Sequence, residues 1–290
     1  MWLLQFFLGI SYTFAFIFPH KSFKNPKKII TISPSGLHGY YLLGITSYLK
    51  QHYDMRNYVF SGASAGSWIS LIMSYRGKHQ DIIQDVLHVS NESKQNVKSL
   101  GKGLRDLFLK SGKYRTTDFD MNRCYMGLID VQFGQILNWK ESPHIGLDLR
   151  THPIKTRTMV YNQFRTLEDA IHCCIASSHV PFIMGDMFRK YRNLYTIDGG
   201  FSGNPYYGEC HIDGNDDHDY GHDCGRQIAT LHVHPFIWYG RNVTAIEYCA
   251  NQFKLFVDLF QIGQMNFSQL YHMGYEDAKL NRKYFDNIIL

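Results

Sequence analysis

The stretch that most clearly indicates chemistry is Gly62–Gly66, which reads Gly-Ala-Ser-Ala-Gly and has Ser64 at its centre. Apolar residues precede it and the apolar run Ile69–Met73 follows it, which predicts a strand, a sharp turn and a helix. On such a turn the serine takes a strained backbone conformation and exposes its hydroxyl, as a nucleophile requires. The residues around this serine are small, which lets strand and helix nearly touch: Gly62, Ala63, Ala65 and Gly66. Gly-x-Ser-x-Gly alone is a weak pattern, and the alternative is a small-residue turn without chemistry.

A carboxylate much further along the chain is the candidate base. Asp198 begins an Asp-Gly-Gly motif with Gly199 and Gly200, directly after the predicted strand Asn193–Ile197. Strand ends are where α/β folds place functional groups. Alone, such an aspartate would cap its turn. Beside an activated serine it becomes a candidate general base.

A third stretch, Ser35–Gly39, supplies backbone donors. It is a glycine-bearing loop between a predicted strand and a predicted helix. Placed beside the serine, its N–H groups would hold a developing oxyanion, and we assign this role to Gly36 and Leu37 together with Ala65. The alternative is an ordinary tight turn.

The elements that must position these residues alternate between strands and helices. The predicted strands are Lys28–Ser33, Tyr58–Ser61, Arg157–Tyr161, Asn193–Ile197 and Ile228–Val233. The predicted helices are Tyr40–Lys50, about Ser64–Tyr75, Gln80–Val89, Leu104–Lys110 and Leu167–Ser177, and Val243–Tyr284 is expected to be mostly helical. This order predicts a three-layer α/β/α sandwich with a largely parallel central sheet.

Composition excludes two broad classes. The chain of 290 residues is 44% hydrophobic and 15% aromatic, which excludes a mainly disordered protein. The formal net charge is only +5, and no basic run with interleaved aromatic residues is found, so nucleic acid is not an expected partner.

The motifs, in this order, resemble those of the patatin-like phospholipases, including the adipose-triglyceride-lipase branch. That family has a glycine-rich oxyanion loop, then a Gly-x-Ser-x-Gly serine, then an Asp-Gly-Gly or Asp-Gly-Ala aspartate more than a hundred residues later. Gly62–Gly66 and Asp198–Gly200 match fully, and Ser35–Gly44 is similar but has fewer glycines. Ala176–Phe182 resembles the family's Ala-Ser-x-x-x-Pro segment, and Gly274–Ala278 resembles its C-terminal helix signature.

The resemblance implies a serine lipid acyl hydrolase of the phospholipase A or acylglycerol lipase type. Ser64 and Asp198 would form a catalytic dyad that cleaves carboxylic esters of glycerolipids at a membrane or lipid-droplet surface, without a cofactor or a metal. Two alternatives stay open. One is an α/β-hydrolase triad, because His232 and His234 follow in the chain order Ser, Asp, His. The other is a catalytically silent, membrane-associated lipid-binding protein of the same fold.

The resemblance starts near Ile29, so the chain divides into residues 1–28 and a patatin-like domain at 29–290. The first part contains the apolar run Trp2–Phe18 and a basic linker, which predicts a signal peptide or a membrane anchor. We therefore expect a membrane-associated or secretory protein. Six cysteines and three Asn-x-Ser/Thr sequons also favour a secretory route.

The segment 208–227 is an Asp- and His-rich insertion whose spacing does not fit an EF-hand. Cys210 and Cys224 bracket it, and we expect them to form a disulfide if the protein enters an oxidising compartment. A Cys/His zinc site is the alternative.

Overall fold

The computed structural model describes residues 28–132, 155–201, 230–238 and 258–289. Seven strands lie in these ranges: β1 Lys28–Ile32, β2 Tyr58–Ala63, β3 Cys124–Gln132, β4 Lys155–Tyr161, β5 Arg189–Tyr191, β6 Leu194–Ile197 and β7 Leu231–Val233. The α-helices there are α1 Gly39–His52, α2 Ala65–Met73, α3 His79–Glu92, α4 Val97–Lys110, α5 Leu167–Ser177, α6 Phe267–Leu280 and α7 Arg282–Ile289. Short 3-10 helices include Gly36–His38, Gly199–Phe201 and Leu259–Gln264.

The described strands form one sheet in the order β5-β6-β3-β2-β1-β7, with β4 also paired to β3. Strands β7, β1, β2 and β3 are parallel. Both β4 and β6 run antiparallel to β3, and β5 runs antiparallel to β6, so five of these seven strands share one direction. The predicted α/β fold with a largely parallel central sheet is confirmed.

Two strands of opposite direction meet end to end along one edge of β3. Strand β2 pairs with the first part of β3 and ends with Ala63 opposite Gly127. Strand β6 approaches from the other direction and ends with Ile197 opposite Ile129. Strand β4 pairs with the other edge of β3 from Met126 to Gln132. If each pairing is continued by one residue, the residue after β2 and the residue after β6 both lie opposite Leu128. These two residues must therefore meet there.

Both faces of the sheet are buried. Ile30 and Phe60 face the main core, where the helices pack, and both are 0% exposed. Ile29 and Val59 point the other way into a second cluster and are equally inaccessible. Because successive side chains of a strand alternate between faces, this burial makes the sheet the middle layer, as the sandwich prediction requires.

Local sequence explains where the helices begin. The side chains of Asn96, Thr166 and Asn266 accept hydrogen bonds from backbone N–H groups three residues later, and so cap α4, α5 and α6. Helix α5 also carries Glu168 and Asp169 in its first turn, where acidic side chains stabilise the helix dipole. The predicted bounds of α5 agree with the observed ones.

Helices α1 and α6 pack with their backbones in contact. A Cβ atom on Gly44 would lie 2.1 Å from the carbonyl oxygen of Tyr271, and one on Gly274 would lie 1.9 Å from that of Tyr41. Only glycine permits such an approach. This contact holds α1, the helix that follows the Ser35–Gly39 loop, against α6.

The sequence analysis did not predict β3 or β5. The other predicted strands and helices are found where they lie in the described ranges, and most ends differ by a few residues. The exception is α4, which begins at Val97 and not at Leu104. The described ranges hold no helix of the length and apolarity needed to cross a membrane.

Candidate active site

The glycines around Ser64 are there for clearance. A Cβ atom on Gly62 would lie 2.4 Å from the backbone of Gly66, and one on Gly66 would lie 2.3 Å from the carbonyl oxygen of Ile32. The first turn of α2 therefore packs so closely against β2 and β1 that only glycine fits at these two positions. The sequence predicted that both glycines provide this clearance. The turn between them leaves Ser64 with φ 54° and ψ −126°, a strained conformation for a residue with a side chain.

Ser64 and Asp198 meet directly. The Ser64 hydroxyl donates a hydrogen bond of 2.7 Å to Oδ2 of Asp198. They are the residues that follow β2 and β6, so the meeting of these strands on β3 accounts for the contact. Ser64 is 7% exposed and Asp198 is 5% exposed. The pair is thus largely shielded from bulk water.

Burial also changes the acidity of Asp198. Loss of solvation raises the pKa of its carboxyl from 3.8 to about 6. The hydrogen bonds from the Ser64 hydroxyl and from the Gly200 N–H, which lies 2.6 Å from Oδ1, lower the pKa but do not cancel the effect of burial. Near neutral pH the group is a carboxylate that accepts protons more readily than an exposed aspartate.

The loop before α1 packs against the start of α2. A Cβ atom on Gly39 would lie 2.6 Å from the Cβ of Ala65, so the two segments touch. Gly36 has φ 51° and, with Leu37, opens a 3-10 helix, while Ala65 opens α2. The N–H groups at the start of a helix have no acceptor within that helix, so all three can donate to a ligand.

Two further features of this loop come from the structure. The hydroxyl of Ser35 is buried and has no hydrogen-bond partner within the described ranges, so it is an unused donor. His38 is partly buried, and its Nε2 lies 3.0 Å from Oδ2 of Asp258. Neither side chain had a role predicted from the sequence.

The two histidines of the α/β-hydrolase alternative stack on each other, and one of them contacts Thr31. Nδ1 of His232 lies 2.6 Å from the Thr31 hydroxyl, and the ring stacks on that of His234 with centroids 5.2 Å apart. Burial, and next the neighbouring His234, lower the pKa of His232 to about 3. His232 is therefore neutral over the physiological range.

The match of the chain to a family model follows the same motifs. The model for patatin-like phospholipases matches residues 35–208, from the Ser35–Gly39 loop to just beyond the Asp-Gly-Gly motif. The chain belongs to the patatin-like phospholipase family. A comparison with curated proteins found no match.

Membership in the patatin-like phospholipases implies lipid acyl hydrolase activity and a lipid substrate. The adipose-triglyceride-lipase branch stays a prediction. The expected disulfide between Cys210 and Cys224 and the apolar run Trp2–Phe18 lie outside the described residues. Within the described ranges, no group of three or more His, Cys, Asp and Glu side chains could hold a metal ion.

A contact of Ser177 with the pair was not predicted from the sequence. The hydroxyl of Ser177, at the end of α5, accepts a hydrogen bond of 2.8 Å from the backbone N–H of Ser64. The only sequence signal was its place in the Ala176–Phe182 segment, which resembled a family motif without indicating a contact.

Proposed function

We propose that this patatin-like phospholipase cleaves carboxylic ester bonds of glycerolipids with a catalytic dyad of Ser64 and Asp198. The observation that carries the proposal is the direct hydrogen bond of 2.7 Å between the two side chains. In a Ser-His-Asp triad an imidazole stands between serine and aspartate. Here the serine hydroxyl reaches the carboxylate itself, which supports the dyad over the triad.

In the first half-reaction, Ser64 Oγ attacks the ester carbonyl carbon while Asp198 takes the hydroxyl proton. The carbonyl π electrons move to oxygen, and the N–H groups of Gly36, Leu37 and Ala65 stabilise the resulting oxyanion. Collapse of this intermediate breaks the ester C–O bond. The leaving alcohol receives the proton from Asp198, and the acyl group stays on Ser64.

In the second half-reaction, a water molecule takes the place of the alcohol. Asp198 accepts a proton from this water, whose oxygen attacks the acyl carbon. The second tetrahedral intermediate collapses, the fatty acid leaves and Ser64 recovers its proton. The pKa of about 6 suits both directions of transfer, because a base is most effective when its pKa lies near the working pH.

The experiment is hydrolysis of a soluble short-chain ester by four test variants and one control variant. We expect Ser64→Ala and Asp198→Asn each to lower kcat by on the order of 10³-fold or more, because the two side chains act as a unit. Both His232→Ala and His234→Ala should keep most of the activity. Ser70→Ala is a matched control, since this buried hydroxyl on α2 donates to the Gly66 carbonyl and not to Asp198.

A loss of on the order of 10³-fold in either folded histidine variant would favour the α/β-hydrolase triad. No turnover of any ester by the unaltered protein would favour the silent lipid-binding alternative. Lipid analysis after incubation with mixed phospholipid and triacylglycerol vesicles would then identify the substrate class.

A further inference from the structure

The end of helix α5 contacts both residues of the proposed dyad. The hydroxyl of Ser177 accepts the hydrogen bond of 2.8 Å from the Ser64 N–H. Two residues later, the carbonyl of His179 accepts one of 2.8 Å from the Asp198 N–H. A segment of three residues thus holds the backbones of a nucleophile and a base that are 134 positions apart.

The Ser177 hydroxyl is itself fixed. It is 0% exposed and donates a hydrogen bond of 2.5 Å to the carbonyl of Gly127 on β3. A hydroxyl has one proton, so donation to Gly127 leaves its lone pairs for the Ser64 N–H. The hydroxyl therefore connects the central strand to the strained turn.

The Ser64 N–H needs this acceptor. The turn places it beyond the end of β2, and a buried N–H without a partner is unfavourable. The φ of 54° persists only if the surroundings enforce it. A displacement of about 1 Å at a nucleophile can cost on the order of 10²-fold in rate.

We propose that Ser177 is a positioning residue, whose hydroxyl fixes the Ser64 backbone so that Oγ faces Asp198. This inference rests on the proposed function.

The test compares Ser177→Ala, Ser177→Thr and Ser178→Ala. Ser178 is the matched control, because its hydroxyl also donates one hydrogen bond to a backbone carbonyl, that of Cys174, and accepts another. The donor to Ser178 is the indole N–H of Trp68 and not the backbone of Ser64. For each variant we would measure kcat and KM on a soluble ester, the labelling rate of Ser64 by a phosphonate probe, and thermal stability.

We expect Ser177→Ala to lower kcat and the labelling rate by roughly ten- to a hundredfold with little change in KM. Ser177→Thr keeps the hydroxyl but forces a methyl group into a buried site, so it should lose stability and recover most of kcat. Ser178→Ala should lose stability and keep kcat.

If Ser177 had a purely structural role, the order of kcat would be reversed, and the overpacked Ser177→Thr variant would be slower than Ser177→Ala. That order, or a Ser177→Ala variant labelled as fast as the unaltered protein, would overturn the inference. If the unaltered protein were neither active nor labelled, the proposed function would fail instead.

The loop Val180–Phe188, which comes shortly after α5, has an unusual surface of its own. Most of its residues are apolar, and Phe182 is 60% exposed with φ 65°, which is unusual for a bulky residue. Both the strain and the apolar exposure are unfavourable in water. Such features concentrate at sites of function, and partly exposed apolar neighbours make this more than one isolated side chain.

This loop lies close to the proposed dyad and beside positive charge. Phe182 is three residues from His179, a chain distance of at most about 11 Å. The Cε of Met184 would lie 3.1 Å from a Cβ on Gly101, so the loop rests on α4 at that residue. Lys98 and Lys102 flank Gly101 and are exposed.

We propose that this loop docks on a lipid surface with anionic headgroups, with Phe182 among the acyl chains and the two lysines at the headgroups. Apolar burial combined with lysine attraction is how interfacial segments bind anionic bilayers. This inference also rests on the proposed function, because docking of the loop would hold the dyad at its substrate.

The test is hydrogen–deuterium exchange on the full chain carrying Ser64→Ala, with phosphatidylcholine vesicles that contain or lack phosphatidylserine. We expect slower exchange at residues 182–188 with the anionic vesicles. Phe182→Asn should abolish this protection, since Asn accepts the backbone conformation but is polar. Lys102→Gln should raise the vesicle concentration needed by roughly fivefold. Leu280→Asn, at an 81% exposed position on α6, is the control and should change nothing.

Protection confined to other segments, or protection that survives Phe182→Asn, would overturn the docking proposal. Equal protection by neutral vesicles would refute the role of the lysines. None of these readouts depends on turnover, so they separate this proposal from the proposed function.

Discussion

Replacement of Asp198 by asparagine should remove activity and make the folded protein more stable at neutral pH. The carboxylate is buried, and its only described hydrogen-bond donors are the Ser64 hydroxyl and the Gly200 N–H. Asparagine keeps both contacts, because its oxygen can accept from Gly200 and its NH₂ can donate to Ser64 Oγ. It removes the charge, and with it the cost of desolvation.

The magnitude follows from the pKa of Asp198. In the folded protein it is about 6, against an ordinary value of 3.8, so the folded state binds the proton more tightly than the unfolded state. The free energy of unfolding therefore falls as pH rises from about 4 to 6 and is level above that. A difference of about 2 units corresponds to about 3 kcal/mol.

The assay is urea unfolding of both proteins at several pH values between 4 and 8. Near pH 4, Asp198 is protonated and resembles asparagine, so the two stabilities should be close. By pH 7 the variant should be more stable by up to about 3 kcal/mol. Other titrating groups, such as His232, affect both proteins equally and cancel in the difference.

Asp81→Asn on the exposed surface of α3 is the control, and it should gain no stability as pH rises. If the difference in the free energy of unfolding between Asp198→Asn and the unaltered protein did not change from pH 4 to 7, the reasoning would be refuted. It would mean that burial does not dominate the environment of this carboxyl.

Three further outcomes are expected. The kcat/KM for a soluble ester should rise with pH up to about 6 and then level, because only ionised Asp198 accepts the serine proton. Gly274→Ala should lower the melting temperature far more than Gly263→Ala. The methyl group at position 274 would lie 1.9 Å from the Tyr41 carbonyl oxygen, whereas the atom nearest to a methyl group at position 263 lies 4.0 Å away. Equal effects of the two substitutions would contradict the close contact between the helices. Full-length protein should fractionate with membranes through Trp2–Phe18, and a freely soluble, uncleaved chain would contradict this.

The sequence was sufficient for the elements and residues whose signals are local. The turn at Ser64 depends on small residues beside it, so its pattern could be read directly. The Asp-Gly-Gly motif is equally local. Helix α5 has a capping threonine and an acidic first turn, so the signals for its start are local as well.

Strand β3 was missed because its stability comes from distant partners. Its sequence interrupts an apolar run with Gly127 and Asp130, which weakens any strand pattern. The buried carboxylate of Asp130 is paired with Arg157 on β4 at 3.1 Å, and no local pattern shows that pairing. The contact of Ser177 with Ser64 was hidden for the same reason, since it spans 113 positions.

The meeting of β2 and β6 on β3 also determines how this site would be lost on heating. Strand β6 is attached to β3 by only two paired positions and to the three-residue strand β5. Strand β2 is paired at five positions with β1 and at four positions with β3. Short, sparsely paired elements open at lower free energy than the core. Opening of β6 would withdraw Asp198 while Ser64 stayed in place, so inactivation should be reversible and should precede melting of the sheet.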